Sequence, residues 1–154
     1  MLNNIRKRHT SILLISIFLY LCSIALPVFI YRPASYADDY GFAALLFGWL
    51  AIFGPWYANV LYFIAVGLAF ARLYWVVFGF SIIAFVWGLT SFSFIGTAFD
   101  ASLKTRVITH LAIGFYVWEA AFILLALYGL LNALSSPLTS LPVSDALPPS
   151  AEME

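Results

Sequence analysis

The chain has 154 residues, 64% hydrophobic and only 9% charged, with no formal net charge and a mean hydropathy of +1.01. Soluble domains carry about a quarter charged residues, so water is the wrong solvent for this composition. The neutral balance, with Arg6-Lys7-Arg8 as its one basic cluster, speaks against a nucleic-acid partner, and the single Cys22 excludes an intramolecular disulfide.

The basic flank Arg6-Lys7-Arg8-His9 precedes the uncharged run 11–30 (SILLISIFLYLCSIALPVFI), whose twenty residues fit one membrane crossing. Positive residues beside a first helix stay on the cytoplasmic side, which places the amino terminus inside. Small residues at Ser35 and Ala37 have the spacing of a signal-peptide cleavage site, but the apolar run exceeds the usual core of about 7–15 residues. Tyr20 and Leu21 are too bulky to precede a lipidated cysteine at Cys22. Residues 31–41 read as an outer loop with Arg32, Asp38 and Asp39. Tyr31, Tyr36, Tyr40, Trp49, Trp56 and Tyr57 crowd within or just after it. Such rings suit a membrane–water boundary; they are equally candidates for docking a partner outside the membrane.

The stretch 42–71 carries no charge. Thirty residues of helix would be about 45 Å long against a hydrocarbon core of about 30 Å. Gly54-Pro55 divides it. The division predicts a short interfacial or re-entrant helix over 42–53 and a second span over 55–71, with Pro55 in the first turn. Arg72 marks a tight connection to a third span over 73–94, so the second and third helices are antiparallel neighbours. Ala65/Ala69 and Gly67/Ala71 supply small residues at the spacing that lets helices approach in lipid. A second outer loop over 96–109 leads to a fourth span over 110–131. Residues 135–154, rich in proline and serine, read as a disordered cytoplasmic tail. The expectation is an all-α polytopic membrane protein: a domain over 1–134 with four transmembrane helices in a bundle and both termini cytoplasmic. Basic residues divide four (Arg6, Lys7, Arg8, Arg72) to three (Arg32, Lys104, Arg106), so the amino-terminal cluster decides the orientation.

Gly41-Phe42-Ala43-Ala44-Leu45-Leu46-Phe47-Gly48-Trp49, Trp56-Tyr57-Ala58-Asn59 and Gly114-Phe115-Tyr116-Val117-Trp118 together resemble motifs of a group of small bacterial inner-membrane proteins of unassigned function. The resemblance covers about residues 10–131 and implies four helices in a bacterial inner membrane, with no activity attached. Val60 stands where that group has proline, and Glu119 where it has a small or apolar residue.

Glu119 is the one ionisable residue deep inside a proposed span. A central carboxylate costs about 2.5–3.5 kcal/mol on insertion scales, so such residues face the bundle interior or a cavity. Depth along each helix places Glu119 in an outer-leaflet polar cluster with Ser23, Asn59 and Thr90. Structural hydrogen bonding, proton or cation coupling, and contact with a partner's membrane segment are all open to it. His9 and His110 fall on opposite sides of the bilayer and cannot share a haem iron. No metal site, cofactor motif or catalytic set is recognisable, and enzyme activity is not expected. Three classes of function remain. The first is a non-catalytic inner-membrane protein that acts on another membrane protein, most concretely an immunity protein against a membrane-targeting toxin. The others are a small proton-coupled transporter using Glu119 and an accessory subunit of a larger membrane complex.

Overall fold

Apolar runs satisfy their backbone groups most simply by coiling on themselves, and this chain is mostly helical. The computed structural model describes residues 2–32, 39–51, 54–101 and 104–135. Helix α1 spans Leu2–Ala25 and strand β1 Pro27–Arg32. The first uncharged run is therefore not one helix to residue 30. Proline disfavours helical geometry in the residue before it and supplies no N–H, so Leu26 leaves the helix and Pro27 opens an extended segment. After β2 (Asp39–Tyr40), α2 covers Gly41–Phe47 and passes into a 3-10 turn over Gly48–Ala51.

Helix α3 begins only at Tyr57 and ends at Phe70. Between α2 and α3, Gly54 adopts φ 138°, a conformation open to glycine. At fourteen residues α3 is about 21 Å long, shorter than the hydrocarbon core. The α3–α4 turn is a Schellman arrangement. Leu73 N–H donates to Leu68 O and Arg72 N–H to Ala69 O, with Arg72 left-handed at φ 61°. Helix α4 (Tyr74–Gly88) tightens into a 3-10 turn over Leu89–Phe94. The hairpin β3 (Ala98–Ala101) and β4 (Lys104–Leu111) then leads into α5 (Ile113–Ser135).

The segments expected to be outer loops thus hold strands. They form one antiparallel sheet in the order β2-β1-β4-β3, at the end of the bundle where α1 ends and α5 begins. Strand β1 pairs with β4 through Ile30↔His110 and Tyr31↔Ile108, with an irregularity between them. This pairing is why the last helix starts at Ile113 rather than at 110. The tail beyond residue 135, and Tyr36 in the first loop, lie outside the described residues.

Helix α5 is the central element, packing against α1 on one side and α4 on the other. Small residues set the distances. A Cβ on Gly129 would stand 2.7 Å from the backbone nitrogen of Phe78, so α5 and α4 nearly touch there. Of the small residues on α3, Ala65 and Ala69 are buried, whereas Gly67 and Ala71 face outward. Where α1 faces α3, aromatic side chains bridge instead. Tyr20 and Tyr62 stack with centroids 4.5 Å apart and planes within 8°, and Phe122 closes from α5 at 5.3 Å from Tyr62. The outward faces are apolar on all four long helices, as at Phe18, Phe63, Ile83 and Ile123. Two helical stretches, Tyr74–Phe94 and Ile113–Ser135, are long and apolar enough to cross a membrane; His9–Ala25 and Tyr57–Phe70 are apolar but shorter.

Candidate functional site

The interior between α1, α3 and α5 holds a ladder of polar contacts. On α1, Ser16, Tyr20 and Ser23 recur at helical spacing and so share one face. Ser16 Oγ donates to Ala121 O at 2.7 Å and shares a 3.0 Å hydrogen bond with Tyr62 OH. One turn further along α1, Tyr20 OH donates to Asn59 Oδ1 at 2.8 Å, and Trp118 Nε1–H donates to the same oxygen at 2.8 Å. Ser23 bonds its own helix at Tyr20 O, 2.7 Å away. The indole is a donor only, so the atom it meets must be the amide oxygen. The orientation of Asn59 follows from that contact.

Glu119 is 5% exposed, and neither carboxyl oxygen makes a hydrogen bond among the described residues. Its Oε1 lies against Gly88 of α4, where an added Cβ would collide with it and approach Trp118 to 3.1 Å. The expected cluster of Glu119 with Ser23, Asn59 and Thr90 is corrected accordingly. Successive helical residues point about 100° apart. Trp118 therefore takes the direction toward Asn59, and Glu119 turns to α4. Thr90 is exposed and bonds back to Trp87 O at 2.6 Å, because the 3-10 turn it occupies has a different angular step from the preceding helix. Tyr20, Trp118, Ser16 and Tyr62 are the members that depth counting missed. The signal was present: polar residues on α1 at i, i+4 and i+7, facing Asn59 and Tyr62 at i, i+3 on α3.

Above Asn59, toward the sheet, lies a cavity of about 470 Å³. Helix α2 contributes one wall and α1, β1, α3, the 3-10 turn over Leu89–Phe94, β4 and α5 the others. The start of α2 docks directly on the end of α1. Gly41 N–H donates to Leu26 O at 2.9 Å, and a side chain at Gly41 would strike Ser23 O. Its other end is held by Trp56, whose Nε1–H donates to Leu45 O at 2.7 Å and whose ring lies under Gly48.

The aromatic set proposed from sequence thus divides. Tyr31, buried in β1, and Trp56 line the cavity. Tyr40, Trp49 and Tyr57 are exposed, Trp49 by 54% even though its Nε1–H donates to Leu46 O. Phe42, Leu46 and Phe47 of α2 are exposed beside them, so this end of the molecule is apolar on its outer surface as well.

Among the described residues, no three His, Cys, Asp or Glu side chains gather closely enough to hold a metal ion. His9, 3.3 Å from Asn132 Oδ1 on the last turns of α5, and His110 in β4 stand at opposite ends of the bundle. Comparison with protein families, curated proteins and solved structures finds no match for the chain.

Proposed function

We propose that the protein is an integral membrane four-helix bundle that acts without catalysis, by binding another protein at the end that carries the sheet and α2. The observation that supports embedding is an inverted polarity. Ser16, Asn59, Ser81 and Glu119 are buried, while large apolar side chains cover the outside of every long helix. A soluble bundle shows the reverse, and apolar exposure on this scale marks contact with lipid or protein. The sheet then lies outside the hydrocarbon, since its edge strands β2 and β3 carry backbone groups that lipid cannot satisfy. Orientation follows the amino-terminal basic cluster, which puts both termini in the cytoplasm and the sheet on the far side of a bacterial inner membrane.

The concrete form of this reading is an immunity protein that meets a membrane-targeting toxin at the exposed ring of Tyr40, Phe42, Phe47, Trp49 and Tyr57. Aromatic side chains provide the anchors of most interfaces. The test is growth. Deleting the gene sensitises cells to a toxin made by the same strain or its kin, and Trp49→Ala weakens protection without loss of protein from the membrane. Unchanged toxin sensitivity on deletion overturns the immunity role.

One observation favours a second reading, a small proton-coupled transporter. The carboxyl of Glu119 is enclosed yet has no hydrogen-bond partner, and such groups inside membranes commonly carry protons or ions. Loss of function in a well-expressed Glu119→Gln variant selects this reading over immunity.

A further inference from the structure

Most polar groups on the wall of the cavity behind α2 are already paired. Tyr20 OH and Trp118 Nε1–H are both engaged by Asn59 Oδ1, Trp56 Nε1–H by Leu45 O, and Ser23 Oγ by Tyr20 O. Two groups on the wall are left over. The Asn59 amide nitrogen has no hydrogen-bond partner among the described residues, and neither has the hydroxyl of Ser91. Trp118 fixes the amide so that its NH₂, with two donors, is the free end. The acceptor capacity of the Asn59 oxygen is already filled by two bonds. What enters must therefore bring an acceptor.

Among the described residues, no Asp, Glu, Lys, Arg or His side chain lines the cavity. An anionic head would be desolvated there without a partner, which costs far more than one hydrogen bond returns. The acceptor must be neutral. The remaining walls are aromatic and aliphatic, with Phe29, Tyr31, Phe94 and Phe115 among them. A volume of about 470 Å³ is in the range of small-molecule pockets, where a few placed polar groups orient an otherwise apolar ligand.

We infer that this cavity binds a neutral lipophile bearing a carbonyl group, with the carbonyl oxygen accepting from Asn59 Nδ2 and Ser91 Oγ. Two membrane components share that chemistry, a prenylated quinone and the acyl ester of a glycerolipid. The inference draws on the membrane reading only for the ligand's source. Binding is measured in detergent micelles, so its failure leaves the membrane reading intact, and a chain that does not enter membranes can still be tested.

The cavity contains its own reporters. Of the five tryptophans, Trp56 and Trp118 line it, while Trp49, Trp75 and Trp87 are exposed. A Trp49→Phe, Trp75→Phe, Trp87→Phe background leaves only the two that matter. Purified protein in an uncharged detergent is titrated in one arm with a benzoquinone carrying a ten-carbon tail, and in the other with brominated diacyl phosphatidylcholine; both quench indole fluorescence. The expected result is saturable quenching by one of them, and the arm that saturates names the source. Asn59→Asp keeps an acceptor for Tyr20 and Trp118 but loses the NH₂, and weakens binding about tenfold, the worth of one good hydrogen bond. Ala44→Phe, on the α2 wall, fills the space and abolishes saturation. A thermal melt followed by circular dichroism establishes that each variant is folded; should Asn59→Asp not fold, Ala44→Phe decides alone. Quenching that never saturates in either arm, or that saturates equally in folded Ala44→Phe, overturns the assignment.

Discussion

Glu119 and Trp118 are adjacent in sequence and opposite in circumstance. Trp118 spends its one donor on Asn59, whereas Glu119 presses on Gly88 and bonds to nothing. A carboxyl that makes no hydrogen bond can be exchanged for its amide at little cost. Glu119→Gln is therefore expected to keep the fold within about 1 kcal/mol, since it preserves the shape of the side chain and breaks no hydrogen bond, and a thermal melt reads this directly. Gly88→Ala brings its methyl group onto the carboxyl; because the far end of the Glu119 side chain can swing aside, the cost lies at the low end of overpacking, about 1 kcal/mol. Because the colliding atoms belong to Glu119, the loss is relieved in Gly88→Ala combined with Glu119→Ala. A double-mutant cycle should show the two sites coupled by at least about 0.5 kcal/mol; additivity would remove Glu119 from this position.

Among the elements, glycine marks where helices touch and where they do not. Gly129 meets the backbone of Phe78 and Tyr74, while Gly67 and Gly79 have open space around them. Gly129→Ala is expected to destabilise by about 1–3 kcal/mol, since backbone cannot step aside. Gly67→Ala and Gly79→Ala should be neutral or stabilise by about 0.5–1 kcal/mol through helix propensity. The break at Gly54 was readable from the sequence for a physical reason: an uncharged stretch too long for one crossing, interrupted by Gly-Pro. The strands were not. PVFIYR continues an apolar run, and a short apolar segment cannot be assigned to helix or strand from periodicity alone; only Pro27 hinted at the change. Likewise Asn59 and Ser23 stood out as polar residues in apolar helices. Counting depth without counting angle, however, paired them with Glu119 instead of with Tyr20 and Trp118.

At the scale of the molecule, the proposed membrane reading makes a prediction of sidedness. A reporter fused at Ser102, between β3 and β4, should be active only outside the cytoplasm, and one fused after Glu154 only inside. Both reporters on one side would show that α5 does not cross, and would reject the four-span bundle. Helix α3 spans about 21 Å, and the cavity and α2 occupy the level that a longer helix would have filled.

The pairing of β1 with β4 carries a consequence for the order of assembly. Ile30 and His110 lie at opposite ends of the chain's helical course, yet they are partners in one ladder. A ribosome delivers β1 long before β4 exists, and α1 likewise waits for α5, the helix it packs against. A nascent chain halted after α4 holds α2 and α3 with an unpaired strand edge above them and an unfilled groove where α5 belongs. On the proposed membrane reading, such an intermediate is a substrate for insertion chaperones and for membrane proteases, because its apolar groove and strand edge stay exposed. Truncations that remove α5 should therefore be degraded rather than accumulate as smaller bundles. Co-expressing 1–97 with 98–154 as two separate pieces should restore the protein, because the halves meet along complete surfaces.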